Sequence, residues 1–216
     1  MYKPRTYIYR EFETHFQQLI NKDDVVLEIG AGYGSTAFPL IETLQHDITY
    51  IATDYSLSAL EVMKAHKLYN PSRIITEVWD VVEPISSSSS SIMKYNIPKV
   101  ILCIFTLSAI SPSNHFQSLL NIVNMMDDKS VFLFRDYGMY DSTMFRHKIK
   151  LHDKFYMRQD ETYCYYFDID YLTDLTKAVG LSIIDIKVAT ISSVNRKKQS
   201  QLKRVFIHMV AKKRVI

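Results

Sequence analysis

The stretch Val25-Val26-Leu27-Glu28-Ile29-Gly30-Ala31-Gly32-Tyr33-Gly34 constrains this chain more than any other. Its apolar start reads as a buried strand. An acid and three alternate glycines follow, then Ser35, Thr36 and a helical pattern through Ala37, Leu40, Ile41 and Leu44. Strand, Gly-rich turn and helix in that order build a nucleotide-sized pocket at the C-terminal edge of a parallel sheet. Glycine permits the tight turn and a close approach of ligand to backbone. The whole chain has five glycines, so placing three here marks the turn as a site or, in the plainer reading, as a tight turn and nothing more.

The rest of the chain repeats the strand–helix alternation. Residues 1–9 read as an aromatic, basic arm, and residues 10–21 as an amphipathic helix with Phe12, Phe16, Leu19 and Ile20 on one side. Strands are expected at 25–29, 48–53, 73–78, 99–105 and 130–135, with helices at about 35–45, 57–68, 112–126 and 168–179. Ser56 suits an N-cap and Gly180 a C-cap. Strands at about 182–190 and 203–211 have no helix between them, so the last is expected to run antiparallel. The fold class is α/β: a seven-stranded, mostly parallel sheet with an antiparallel last strand, the plan of class I methyltransferases. The 216 residues fit one domain, with 1–22 as its N-terminal arm and helix. The polar, aromatic segment 138–167 reads as a long connection, and the serine run 86–91 as a flexible loop.

Composition narrows the setting. The longest apolar run, Val100 to Phe105, is far too short to span a membrane, and the N-terminus has no signal-like apolar core. Cys103 and Cys164 make neither a disulfide framework nor a metal site. These features point to a reducing compartment, the cytoplasm or the nucleus. From Asn195 onward there are eight Lys and Arg and no acid, on a chain whose net charge is only +3. A basic end on a net acidic body suits either a polyanion partner such as nucleic acid or a solubilising tail.

Three acids close neighbouring strands: Glu28, Asp54 and Asp80. A carboxylate at the end of the second strand suits two ribose hydroxyls. The glycines follow E-x-G-x-G-x-G, not the spaced pattern of a pyrophosphate loop, and Glu28 would repel a phosphate. S-adenosylmethionine has no phosphate and carries a sulfonium cation, so it tolerates these acids. Asp80 can take an adenine amino group, with Val81 offering a backbone N–H; the plainer reading is a loop aspartate. Phe134-Arg135-Asp136-Tyr137-Gly138 closes a later strand on the same edge, where Arg135-Asp136 also reads as a structural ion pair. The cations and rings between Arg146 and Asp160, and on to Tyr166, are of the kind that bind single-stranded nucleic acid, or else form a solvated face.

Taken together, LEIGAGYGSTAFPL at 27–40, TDYSLSALE at 53–61, FTLSAISP at 105–112, FRDYGMYDSTMFR at 134–146, KFYMRQDETYCYYF at 154–167 and VNRKK at 194–198 resemble the tRNA N3-methylcytidine methyltransferase family. Lys3-Pro4-Arg5-Thr6-Tyr7 resembles that family's KDR-x-aromatic segment. The likeness runs through nearly the whole chain; the FRDYGxYD and FYxRQD segments are specific, the Gly-rich turn generic. It implies an S-adenosylmethionine-dependent enzyme acting on cytidine 32 of the anticodon loop of selected tRNAs, serine isoacceptors prominent, in some members with seryl-tRNA synthetase or another helper protein. It implies cofactor contacts at Gly30, Gly32, Gly34, Asp54, Asp80, Val81 and Ile104, and Glu28, Tyr55 and Ser56 beside the same strand ends are further candidate cofactor contacts. It places Arg135, Asp136 and Tyr137 beside the target base; because methylation leaves that base positively charged, Asp136 is the candidate catalytic carboxylate, with Arg135 holding it and Tyr137 stacking on or positioning the base. Segments 138–167 and 194–204 then face the tRNA, with Arg5, Arg146, Lys154, Arg158, Arg196, Lys197 and Lys198 as RNA contacts. The chain departs from the family pattern in lacking a W-x-x-F-Y-type segment ahead of the Gly-rich turn, in the serine run, and at Glu161 and Tyr163, where Gly and a basic residue are common. Two other readings share the sequence: a class I methyltransferase acting on a protein or small molecule, and a non-enzymatic methyltransferase fold that binds tRNA or a partner.

Overall fold

The computed structural model describes residues 3–44, 47–85, 90, 92–195 and 200–214. Five strands form the parallel body of the main sheet: β1 (Val25–Ile29), β2 (Thr49–Asp54), β3 (Ile74–Val78), β4 (Val100–Ile104) and β5 (Val131–Tyr137). The long hairpin β9 (Leu181–Asn195) and β10 (Ser200–Lys213) completes it in the order β3-β2-β1-β4-β5-β10-β9. β10 runs antiparallel to both β5 and β9, as its chain pattern requires. All five parallel strands end at one edge, and the order reverses between β1 and β4, so a crevice opens there.

The strands read as unbroken apolar runs because both sheet faces are covered. Leu27, Ile29, Ile51, Ile101, Cys103, Phe132 and Phe134 face α5 (His115–Asn124) and α6 (Ile169–Ala178). Their neighbours Val26, Tyr50, Ala52, Val100, Leu102 and Leu133 face α1 (Tyr7–Glu11), α2 (Glu13–Leu19), α3 (Ala37–Thr43) and α4 (Leu57–Lys64). Truncating a ring such as Phe132 or Phe134 to alanine is expected to cost about 3–5 kcal/mol.

Several elements differ from the sequence expectation. The N-terminal helix starts at Tyr7, inside the expected arm, and breaks at Phe12, whose φ of −120° and ψ of 19° divide α1 from α2. The break still buries Ile8, Phe12, Phe16 and Ile20 together. The segment read as a connection contains a three-stranded antiparallel sheet: β6 (Ile149–His152), β7 (Phe155–Met157) and β8 (Tyr163–Tyr165). Of the serine run, only Ser90 lies within the described residues; it is buried, and its hydroxyl donates to the Glu77 carboxylate. Among the described residues no helix is long and apolar enough to cross a membrane.

Candidate active site

A cleft of about 500 Å³ occupies the crevice beyond β1 and β4. Gly30 floors it with φ +70°, and a Cβ there would lie 2.3 Å from the Thr106 hydroxyl oxygen. Thr106 in turn donates to the Ile29 carbonyl at 2.9 Å, tying the turn after β4 to the turn after β1. Asp54 closes β2 with both carboxylate oxygens engaged: Oδ2 accepts from the Gly32 amide at 2.8 Å and Oδ1 from the Ser56 amide at 2.9 Å. Each oxygen keeps a lone pair for a ligand. Ser56 also caps α4, accepting from the Ala59 amide at 3.3 Å. Asp80, exposed, accepts from the Val82 amide at 3.1 Å, and Tyr55 stands open at the rim. Among the described residues lining this cleft are three acids, Asp54, Asp80 and Glu161, and no Lys, Arg or His.

The wall after β4 is held from behind. His115 is fully buried. Burial lowers its imidazole to about 4, so it is neutral at physiological pH. Nε2 lies 3.0 Å from the Leu107 carbonyl and 3.1 Å from the Ile110 carbonyl, so it carries the proton; Nδ1 accepts from the Tyr171 hydroxyl at 2.9 Å. This pins the 3₁₀ turn Leu107–Ala109, whose Ser108 amide donates to Asp136 Oδ2 at 2.9 Å.

A second pocket, of about 480 Å³, is lined by Tyr137, Thr143, Arg146, His147, Arg158, Gln159 and Asp160. The Arg158 guanidinium lies 5.2 Å over the Tyr137 ring, and Arg204 lies 5.7 Å from it. Asp136 is 0% exposed and accepts from the amides of Ser108 and of Tyr137, at 2.9 and 2.8 Å. Burial pushes its carboxyl up to about 6, against the pull of those hydrogen bonds and of Arg158. It forms no ion pair among the described residues.

Human tRNA N(3)-cytidine methyltransferase METTL6 is 32% identical over 213 residues, which cover 95% of this chain and 72% of the human protein. The chain belongs to the tRNA N(3)-cytidine methyltransferase family. Bovine tRNA N(3)-cytidine methyltransferase METTL2 is 34% identical over 185 residues, 84% of this chain and 48% of that protein. The chain thus spans about half the length of the METTL2 relatives it matches. O-methyltransferase 3 of Dictyostelium discoideum is 31% identical over 198 residues, 88% of this chain and 45% of that protein. No protein-family model matches. Among solved structures, a SAM-dependent methyltransferase from Anabaena variabilis superposes with a TM-score of 0.72 at 13% identity, covering 96% of this chain and 84% of that one. Another, from Methanosarcina mazei, gives 0.70 at 11% identity, with 94% and 98% covered. The fold is that of SAM-dependent methyltransferases.

The expected cofactor residues divide. Gly30, Asp54, Tyr55, Asp80 and Val81 line the cleft, with Ser56 and Gly32 one step behind through their amides on Asp54. Glu28 does not line it. Side chains alternate along a strand, so Glu28 points to the opposite face from Ile29, where it is fully buried and accepts from the Tyr50 hydroxyl at 2.7 Å. Burial raises its carboxyl, with Tyr50 and Arg5 pulling the other way. The Ile104 side chain packs on that same face, and Gly34 serves helix packing, since a Cβ there would meet the Phe38 ring at 2.5 Å.

The same alternation corrects the role expected of Arg135. It does not hold Asp136. Its guanidinium is buried on the other face, 3.1 Å from the Glu11 carboxylate, with Nε donating to His208 Nε2 at 2.9 Å. The rings of Tyr7 and Phe206 lie 4.5 and 4.3 Å from it.

Of the expected RNA contacts, Arg146 and Arg158 line the second pocket. Arg5 is turned inward, donating to the Thr36 hydroxyl at 3.2 Å, and Lys154 is paired with Asp168 at 2.5 Å. Arg196, Lys197 and Lys198 lie outside the described residues. Sequence reasoning missed Thr106, Ser108 and His115, although FTLSAISP contains the first two. It also missed that Glu161, Thr162 and Tyr163, at the β7–β8 turn, reach the first cleft.

Proposed function

We propose that this chain methylates N3 of a cytidine in tRNA, with S-adenosylmethionine as donor in the first cleft and the base entering beside Tyr137. The observation that carries the reading is the charge of the cleft: three acids and no cation among its described lining, in a chain of this family. A dinucleotide or nucleoside phosphate needs cations or a free helix N-terminus there. A phosphate-free, positively charged nucleoside does not. Asp54, with a lone pair left on each oxygen, would hold the ribose; Asp80 and the Val81–Val82 backbone would face the adenine.

The cofactor supplies an electrophilic methyl group on a sulfonium. Cytosine N3 already carries a lone pair at neutral pH, so the protein needs no general base and contributes alignment. The Tyr137 ring, stiffened by Arg158 and by Phe105 at 5.0 Å, offers a stacking surface for an unstacked base. The alkylated base gains a positive charge. Asp136, which precedes Tyr137 in β5, accepts from its amide and has no ion pair among the described residues, would stabilise that charge through the low-dielectric interior. Segments 138–167 and 194–204 would face the tRNA, the target is cytidine 32 of serine tRNAs, and seryl-tRNA synthetase is the helper to try first.

The test is mass spectrometry of nucleosides from tRNA incubated with purified protein and donor, with and without seryl-tRNA synthetase. N3-methylcytidine in serine tRNA is expected. Methylation of another base, or none under either condition, overturns the reading.

A further inference from the structure

The two pockets carry opposite charge. The second one gathers the guanidiniums of Arg146 and Arg158 and the imidazole of His147. Among the described residues neither guanidinium is paired with a carboxylate, whereas Arg135 and Arg204 have theirs at 3.1 and 2.9 Å. Arg158 is half-buried, with its side chain held over the Tyr137 ring and Nη2 donating to the Cys164 sulfur at 3.4 Å. Among the described residues the rest of its planar fork has no hydrogen-bond partner. The one acid in the lining, Asp160, spends Oδ1 on the Thr162 hydroxyl at 2.7 Å and amide at 3.3 Å. A nucleobase edge calls for alternating donors and acceptors; two unpaired forks call for a dianionic or phosphodiester oxygen pair.

One tight turn joins this pocket to the donor cleft. Arg158, Gln159 and Asp160 line the cationic side, and the next three residues, Glu161, Thr162 and Tyr163, line the acidic cleft. The Arg158 amide donates to the Thr162 carbonyl at 2.8 Å and the Glu161 amide to the Arg158 carbonyl at 3.1 Å, with Glu161 at φ +64°. An anion held by Arg158 is therefore held at a fixed offset from the donor wall.

We propose that Arg146 and Arg158 form a phosphodiester subsite that clamps the RNA backbone next to the target nucleotide and sets its register against the donor cleft. This rests on the tRNA reading above. Binding of serine tRNA by the full chain is measured across a salt series, with single-turnover methylation and with calorimetry of the donor product S-adenosylhomocysteine as a check on the fold. Arg146→Gln and Arg158→Gln are each expected to reduce the slope of log affinity against log salt by about one, with donor-product affinity unchanged. Arg158→Lys is expected to restore the slope but not the single-turnover rate, because lysine keeps the charge and loses the stacked fork. Wild-type slopes in both glutamine variants, with tRNA still bound and methylated by the parent, sink the subsite and leave the tRNA reading standing. No tRNA binding by the parent sinks both. Should Arg158→Gln lose donor-product binding, the exposed Arg146→Gln decides alone: an unchanged slope overturns the proposal.

Discussion

Arg135 and Asp136 are consecutive in β5 yet serve opposite faces of the sheet, Arg135 reaching Glu11 at 3.1 Å and Asp136 the Ser108 amide at 2.9 Å. Their substitutions should therefore fail in different ways. Arg135→Gln leaves the Glu11 carboxyl, already raised by burial, without its counter-ion. A loss of about 2–4 kcal/mol in urea unfolding is expected. Adding Glu11→Gln should return part of it, since the stranded charge goes too. A double-mutant cycle with no coupling would show that the pair is not what anchors α1 to β5.

Asp136 should appear in the pH profile instead. Its carboxyl ionises at about 6 in the fold, against 3.8 in the open chain. Because the folded value is the higher one, stability from this group is fully present below about 4 and is lost as pH rises through 6, to the extent of roughly 3 kcal/mol. The anion that the proposed chemistry uses is thus paid for in stability. Single-turnover methylation should fall about tenfold per unit below pH 6 and level off above it. Asp136→Asn should lose most turnover, retain donor-product binding and show no inflection near 6. An Asn variant with the parental profile would remove Asp136 from the mechanism.

Much of this site was legible because parallel strands end at one edge: once Ile29, Asp54 and Asp80 are read as strand ends, the cleft follows from topology. The misreadings share a cause. Glu28 and Arg135 sit next to functional residues in the chain, but a period of two turns adjacent side chains apart. The small sheet β6–β8 escaped because strands of four, three and three residues give too little alternation to register, and because Phe155 and Tyr165 are buried in the main core, Tyr165 against His115, fifty residues earlier in the chain. For the same reason no local signal carries Glu161–Tyr163 into the donor cleft; a tertiary fold must bring the hairpin there.

Gly30 tests the floor of that cleft. An alanine there adds a Cβ 2.3 Å from the Thr106 hydroxyl and forces φ +70° on an L side chain. Gly30→Ala should abolish measurable S-adenosylhomocysteine binding in calorimetry. Thr106→Ala alone should be milder, losing one hydrogen bond of about 1 kcal/mol to the Ile29 carbonyl. In the double variant the two shortest contacts are gone, leaving the residue-106 Cβ at 2.9 Å and a backbone strain of about 1–2 kcal/mol. Partial recovery of binding there is expected; equal loss in the single and double variants would place the Gly30 requirement elsewhere.

His115 offers a last test, of the wall that links the two pockets. His115→Phe keeps a ring of similar size but leaves the Ile110 carbonyl and the Tyr171 hydroxyl without the partners His115 gives them, while the Leu107 carbonyl keeps the Ile110 amide at 3.1 Å. At neutral pH a loss on the order of 3 kcal/mol is expected. The folded imidazole titrates at about 4 and the unfolded one near 6.5, so the unfolded chain binds the extra proton between those values. The stability that neutral His115 contributes is present above 6.5 and drains away as pH falls toward 4. Phenylalanine has no such titration. The gap between parent and variant, measured by urea unfolding at pH 7.5, 5.5 and 4.5, should therefore shrink steadily toward acid. Donor-product affinity should fall in the variant as well, because Ala109 and Ile110 line the cleft on the turn that His115 holds. A gap that stays constant over this range would mean that the folded and unfolded imidazoles titrate alike, and that burial does not hold His115 in its neutral form.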